Sequence, residues 1–203
     1  MSRYEVIILK IGYTRWTSPM QQRADGSITL VKGPKNVIID TGGPWNKEKI
    51  PVWLTGEGLT PRHIDFVVCT HGHSDHVGNI NLFPSATLIL SHDICQGDLY
   101  TVHDFAGGQP FEIDDEIDVI PTPGHAGQDI SVIVRTDSGI HAVVGDLFES
   151  EGDRDDESLW RSTSEFPEQQ EASRRSVLDL ADFIVPGHGH MFRVQPDSMP
   201  TPR

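Results

Sequence analysis

The chain has 203 residues, 36% of them apolar and 23% charged, enough for a substantial core and far from the composition of disordered, collagen-like or membrane chains. Thirty acidic side chains against 16 basic ones leave a formal charge of −14, which excludes a protein that lies along nucleic acid through a broad basic face. Ten histidines stand out, because imidazole both titrates near neutrality and is the commonest metal ligand.

Short apolar runs bounded by turn residues predict strands at 6–11, 28–31, 37–39, 66–69, 87–90, 117–120, 130–134, 140–144 and 183–185. Turns at Asp25-Gly26 and Ser138-Gly139 predict two hairpins, and hence an α/β chain with mixed sheets. Helices are expected at 46–54, in the segment after Ser74 with Ser74 as its cap, and at 167–182. For the last, Ser164 is the expected cap and Pro167 suits the first turn. Glu168 and Glu171 favour the positive end of the dipole, and Val177, Leu178 and Ala181 form the apolar stripe. The acidic run at 149–157 reads as a solvated loop, and 196–203, with three prolines, as a loose tail. No repeat or domain boundary is visible, so one domain spanning 1–203 is expected. The apolar stretch at 6–9 is too short for a signal-peptide core or a membrane span. Cys69 and Cys95 sit in apolar contexts and read as buried thiols, which fits a reducing, intracellular compartment.

The chemistry concentrates after the strand at 66–69. His71, His73, Asp75 and His76 place four potential metal ligands within six positions, where the chain must turn. His71 and His73 are two apart, so their rings can converge on one ion, while Asp75 and His76 are displaced and can serve a second. Gly72 fits a crowded position beside the metals. Two ions need more ligands than these four, and three further candidates follow other strands: His125, Asp146 and His188, each preceded by glycine. Asp146 is the natural bridge, since a carboxylate has two oxygens to share. Asp40, after the strand at 37–39, suits an acceptor that fixes the metal-bearing loops. His63, His92, His103 and His141 have no partner pattern and read as surface or hydrogen-bonded side chains. His190, two positions after His188, could meet a substrate.

In this arrangement the chain resembles the metallo-β-lactamase superfamily, with its aspartate after an early strand, its HxHxDH loop, and later His, Asp and His at strand ends. The resemblance implies an αββα sandwich, two mixed sheets flanked by helices. It also implies two Zn2+ per chain, with iron or manganese as alternatives. His71, His73 and His125 would hold the first ion, and Asp75, His76 and His188 the second, with Asp146 between them. Asp75 would also orient the attacking water as ligand or base. The last His of the loop and Asp146 are both present, which likens the chain to the hydroxyacylglutathione hydrolase and ribonuclease Z branches more than to the antibiotic-cleaving members.

Longer phrases carry a narrower resemblance: DTGGPW at 40–45, THGHSDHVGNINLFP at 70–84, SHDIC at 91–95, TPGH at 122–125, GDLFE at 145–149 and PGHG at 186–189. They resemble animal members described as cytosolic, homodimeric zinc endoribonucleases acting on histone pre-messenger RNA. That likeness implies RNA phosphodiester cleavage by a homodimer in the cytosol, with the nucleus as a second location and no membrane attachment. Basic clusters are few, namely Lys32 with Lys35, Lys47 with Lys49, and Arg174 with Arg175. Weak or partner-assisted RNA binding is therefore expected. The competing readings are a thioester hydrolase of the hydroxyacylglutathione type and a non-catalytic metal-holding scaffold.

Overall fold

A computed structural model describes residues 3–194; the tail expected to be loose, 196–203, lies outside them. The first half holds strands β1 (Glu5–Lys10), β2 (Tyr13–Ser18), β3 (Gln21–Asp25), β4 (Ile28–Lys32) and β5 (Val37–Ile39), then helix α1 (Ile50–Gly56). Strands β6 (Phe66–Cys69), β7 (Thr87–Leu90), β8 (Asp93–Gln96) and β9 (Leu99–Thr101) follow. The second half holds β10 (Phe111–Asp114), β11 (Ile117–Pro121), β12 (Ile130–Thr136) and β13 (Gly139–Gly145), then helix α2 (Pro167–Leu180), β14 (Phe183–Pro186) and β15 (Phe192–Arg193). They build a seven-stranded sheet ordered β1-β4-β5-β6-β7-β8-β9, a six-stranded sheet running from β10 to β15 in sequence order, and a separate ribbon of β2 with β3.

Strand periodicity sets the layers, because alternate side chains point to opposite faces. Val37 and Ile39 of β5 join Ile130, Val132 and Val134 of β12 in the core between the sheets. Ile38, from the other face of β5, packs with Ile50 and Leu54 of α1. Ile133, from the other face of β12, packs with Val177 and Ala181 beside α2. Helix, sheet, sheet and helix thus stack in the expected αββα order.

Strand direction then fixes where loops emerge. β5 and β6 are parallel. β13 and β14 are parallel, and β11 runs the same way because each is antiparallel to its neighbour between β11 and β13. The loops after β5 and β6 meet those after β11, β13 and β14 at one edge of the sandwich. There the Ile130 N–H donates to the Thr70 carbonyl at 2.9 Å, and the Ser27 N–H to the Gly187 carbonyl at 2.7 Å, tying the halves together.

Several local expectations are corrected. The helix expected at 46–54 starts later, at Ile50, after a 3₁₀ turn at Pro44–Asn46. Pro51 fits only a first helical turn, and Asn46 spends its amide on the carboxylate of Asp25 at 2.9 Å. No α-helix follows directly after Ser74, only a turn and a short 3₁₀ segment at Ile80–Leu82. After one turn the chain is captured by tertiary bonds, with the Gly78 N–H donating to the Gly42 carbonyl and the Asn79 amide to the carbonyls of Thr41 and Gly43. Ser164 does not cap α2; its hydroxyl donates to the Gly124 carbonyl at 2.9 Å, and Phe166, which offers no side-chain cap, precedes the helix.

Asp25-Gly26 is not a hairpin either. β3 pairs with β2 across a turn at Pro19 and Met20, and β4 pairs with β1 and β5. Asp25 is buried and ion-paired to Lys10 at 3.0 Å instead. The acidic run is only partly solvated: it forms 3₁₀ turns at Glu151–Arg154 and Glu157–Leu159, and Asp153 is buried against Arg174. That ion pair also removes Arg174 from the basic groups available to RNA. Cys69 is buried as expected, Cys95 only partly, and both are free thiols. Among the described residues no helix is long and apolar enough to cross a membrane.

Candidate metal centre

Five strand ends deliver the site. β6 runs into Thr70 and His71, β5 into Asp40, β11 leads through Pro123 and Gly124 to His125, β13 ends at Gly145 before Asp146, and β14 precedes Gly187 and His188. Two glycines are required by contact. A side chain on Gly145, which has φ near +54°, would sit 2.2 Å from the Thr70 hydroxyl, and one on Gly187 would lie 1.9 Å from an Asp146 carboxylate oxygen. Gly72 faces open space, so crowding does not explain it.

His71, His73, His125 and Asp146 form one group of ligand atoms, and Asp75, His76 and His188 a second. His73 Nδ1 lies 2.9 Å from His71 Nε2 and 3.1 Å from His125 Nε2. Asp146 stands between the groups. Its Oδ2 is 3.6 Å from His71 Nε2 and 3.4 Å from His125 Nε2, its Oδ1 is 3.2 Å from the Nε2 atoms of both His76 and His188, and His188 Nε2 also lies 3.3 Å from Oδ2. His188 Nε2 lies 3.7 Å from Asp75 Oδ2. Asp146, His71, His76, His125 and His188 are buried, whereas His73 is exposed and marks the mouth.

Hydrogen bonds fix which nitrogens face inward. His76 Nδ1 donates to Asp40 Oδ2 at 2.7 Å, so Nε2 is the nitrogen that faces Asp146 and would ligate a metal once its own proton is displaced. Asp40 also accepts the Thr70 N–H at 2.7 Å and the Thr70 hydroxyl at 3.0 Å. With its one proton committed there, the Thr70 hydroxyl can only accept from His71 Nδ1, 3.0 Å away, so His71 presents a bare Nε2. Asp40 itself has φ near +55°, a conformation that Asp and Asn tolerate better than other side chains. Asp40→Asn keeps that backbone but puts an amide nitrogen where an oxygen must accept. A loss of about 10- to 100-fold in metal affinity is expected, measured by competition with a chromogenic chelator.

The electrostatics fit metal ions. Burial holds the His71 and His125 rings below the usual imidazole range, so both are neutral and ready to ligate. Burial would do the same to His76 and His188, but the Asp146 carboxylate overrides it in both, raising His76 well above the usual value and His188 to about 9. Burial opposes the Asp146 charge, yet the surrounding imidazoles hold its carboxyl well below the carboxylate range. His76 Nε2 and Asp146 Oδ1 are buried with no hydrogen-bond partner. Orphaned polar atoms facing each other are expensive unless a cation sits between them.

The structure adds residues that sequence reasoning passed over. Glu149 makes a third group with Asp146 and His188, and burial, reinforced by Asp146, raises its carboxyl to about 7. Its place in GDLFE, three residues after Asp146, was the available signal. Asp129 accepts the N–H groups of Gly124 at 3.0 Å and Ala126 at 2.7 Å, shaping the His125 loop. The Gln170 amide donates to the carbonyl of Asp146 at 3.1 Å. His63, His92, His103 and His141 lie outside the cluster with local partners, such as the Phe183 ring stacked on His141. His190 is exposed.

Residues 23–92, which include Asp40 and the whole His71–His76 loop, match the family profile described as Metallo-beta-lactamase superfamily. The chain belongs to this superfamily, whose members are generally metal-dependent hydrolases. Within it, the chain is 45% identical to the Xenopus laevis protein named Metallo-beta-lactamase domain-containing protein 1, covering 95% of this chain and 83% of that protein. The human protein of the same name is 42% identical over 94% of this chain and 82% of its own. Among solved structures, a Thermotoga maritima protein assigned to the metallo-beta-lactamases superposes with a TM-score of 0.73 at 18% identity, covering 95% of this chain and all of that one. AiiA of B. thuringiensis, with N-decanoyl-L-homoserine bound at its active site, gives 0.67 at 14% identity, covering 92% of each chain. At those identities the structures speak for the fold.

Proposed function

We propose that the chain is a dinuclear zinc hydrolase that cleaves single-stranded RNA phosphodiester bonds, of the histone pre-messenger RNA type. One observation supports the two-ion reading: the Asp146 carboxylate reaches the inward nitrogens of both histidine sets, Oδ1 at 3.2 Å from His76 and His188, and Oδ2 at 3.6 Å from His71, 3.4 Å from His125 and 3.3 Å from His188. His71, His73 and His125 would hold one zinc, Asp75, His76 and His188 the other, with Asp146 available to both. Zinc ions held there supply a water acidified to near neutral pH and positive charge against the negative charge that gathers in the transition state. Asp75, 3.7 Å from His188 Nε2 and less buried than Asp146, would serve as ligand or as the base that orients the water. Asp40, through Thr70 and His76, keeps the ring nitrogens in the required tautomers. RNA as substrate rests on the extended sequence likeness of 40–45, 70–84 and 145–149, which reaches beyond the ligand pattern. The same likeness supports a homodimer, and the free thiols of Cys69 and Cys95 favour the cytosol.

The test is the zinc-loaded chain assayed against a single-stranded RNA, with S-lactoylglutathione in parallel. RNA cleavage at two zincs per chain is expected. Turnover of the thioester alone would replace this reading with a hydroxyacylglutathione-type hydrolase, and turnover of neither at any metal loading would leave a scaffold.

Metal binding should also release protons. His188, at about 9, carries a proton at pH 7.5 in the metal-free chain, and an ion must displace it. Affinity should therefore rise with pH through the range where His188 loses its proton, around pH 9, with the raised His76 ring acting in the same direction. Calorimetry in buffers of different ionisation enthalpy checks this; a heat independent of buffer would contradict it.

A further inference from the structure

The β2–β3 ribbon stands outside both sheets and its solvent-facing side chains are unusual for so acidic a chain. Tyr13 is 47% exposed, Trp16 61% and Met20 93%. Trp16 pairs directly across the ribbon with Gln22, and Arg15 with Arg23, so the alternation of a strand puts the tryptophan and the arginines on opposite faces. Among the described residues neither arginine has an acidic partner, whereas Lys10, Lys32, Arg161 and Arg174 are each ion-paired.

A cavity lies on each flank of the ribbon. The first, near 220 Å³, is walled by Trp16, Thr14 and Gln22 on the ribbon side and by Glu149, Leu159 and His188 on the other. It therefore opens onto the metal cluster through His188. The second, near 370 Å³, is walled by Tyr13, Arg23 and Trp45, with Trp45 58% exposed. An exposed indole beside the reacting centre, with unpaired guanidinium groups and further aromatic rings on the other flank of the ribbon, is the combination that holds single-stranded nucleic acid. Bases stack on the rings while the cations follow the phosphates.

We propose that the β2–β3 ribbon is the platform for the substrate strand: the base next to the scissile phosphate stacks on Trp16 in the first cavity, and the flanking nucleotide crosses to Tyr13, Arg23 and Trp45. This rests on the RNA reading of the centre and deepens it. The polar wall of Glu149, Thr14 and Gln22 gives the stacked base edge partners. A carboxylate there accepts from the amino groups of guanine, adenine or cytosine and meets the carbonyl oxygens of uracil unfavourably. The platform also answers the charge problem, since a local pair of arginines on the far face of the ribbon can grip the flanking strand that the net charge repels at a distance.

The experiment measures binding of a labelled 2′-O-methyl octanucleotide, which resists cleavage, to the zinc-loaded full chain by fluorescence anisotropy. Trp16→Ala should weaken binding about 10- to 100-fold and Trp16→Phe far less. Arg23→Ala should weaken it and reduce the salt slope by about one. An oligonucleotide with an abasic position at the stacked base should reproduce the Trp16→Ala loss on the unaltered protein, so the result does not depend on the variant folding. Zinc content and sedimentation are followed alongside.

Unchanged affinity in Trp16→Ala at full zinc content would overturn the platform even if RNA is cleaved, as would no binding of the octanucleotide by the unaltered protein. Dissociation of a dimer by Trp16→Ala without loss of affinity would overturn it too, by making the ribbon a contact between copies. Tight, Trp16-dependent binding with no RNA cleavage at any loading would instead sink the nuclease reading and leave the platform standing.

Discussion

Asp146→Ala is expected to abolish metal-dependent turnover and to reduce zinc from two ions per chain to one or none. The reason is geometric: the Asp146 carboxylate reaches both sets of nitrogens, Oδ1 facing His76 and His188, and Oδ2 facing His71 and His125 as well as His188 at 3.3 Å. A group that only orients a ligand typically costs 10- to 100-fold when lost; removal of a ligand shared by two ions should exceed about 100-fold. Asp146→Asn sharpens the test. It preserves shape and one oxygen, but it turns an N–H donor toward one set of nitrogens that must themselves donate electron pairs. One half of the centre should then keep its ion and the other lose it. Elemental analysis after dialysis counts the ions, and hydrolysis is measured on the same sample. Two ions and full activity in Asp146→Ala would remove the bridging role altogether.

The metal-site candidates were readable in the sequence because the residues that make them are rare types at the ends of apolar runs. His125, Asp146 and His188 are far apart in the chain, yet each follows a strand, and the parallel sense of β11, β13 and β14 brings them to one edge. The strands buried on both faces were legible for the same reason: VII at β5 and FVVC at β6 are apolar throughout. What escaped was held by polar groups. β2 and β3 read YTRWTS and QQRAD, with no apolar face to announce them. The turn expected at Asp25-Gly26 failed because Asp25 is committed to Lys10, Asn46 and the Gly43 N–H, long-range partners that no local pattern encodes. The helix expected after Ser74 failed likewise, to the hydrogen bonds of Gly78 and Asn79 with the Asp40 loop. Local propensity lost wherever the site needed two loops joined.

The same logic applies behind the centre, where α2 braces the Asp146 loop, and Arg174 is the strongest brace. Its guanidinium is sandwiched between Phe148, 3.8 Å from the ring centroid, and Trp160, at 4.7 Å. It donates to the carbonyls of Leu147 and Asp153, both at 2.7 Å, and is ion-paired to Asp153 Oδ1 at 3.1 Å. Both side chains are nearly inaccessible, at 6% and 1%. Arg174→Met fills much of the same space but strands the carboxylate, and breaking one side of a buried pair costs about 3–5 kcal/mol, a large share of the ~5–15 kcal/mol that folds a domain. Burial already raises the Asp153 carboxyl against the pull of Arg174, and losing that pull raises it further. A carboxyl whose folded value lies above its unfolded one favours the fold at acid pH and loses that contribution as pH rises. The Arg174→Met deficit should therefore be larger at pH 7.5 than at pH 5. Adding Asp153→Asn should restore part of the loss, because a neutral amide can stay buried without a cation. Urea unfolding of the metal-free chain at the two pH values measures each term. A loss below about 1 kcal/mol, with no dependence on pH, would mean that the pair contributes no more than an exposed salt bridge and that α2 holds the Asp146 loop by packing alone.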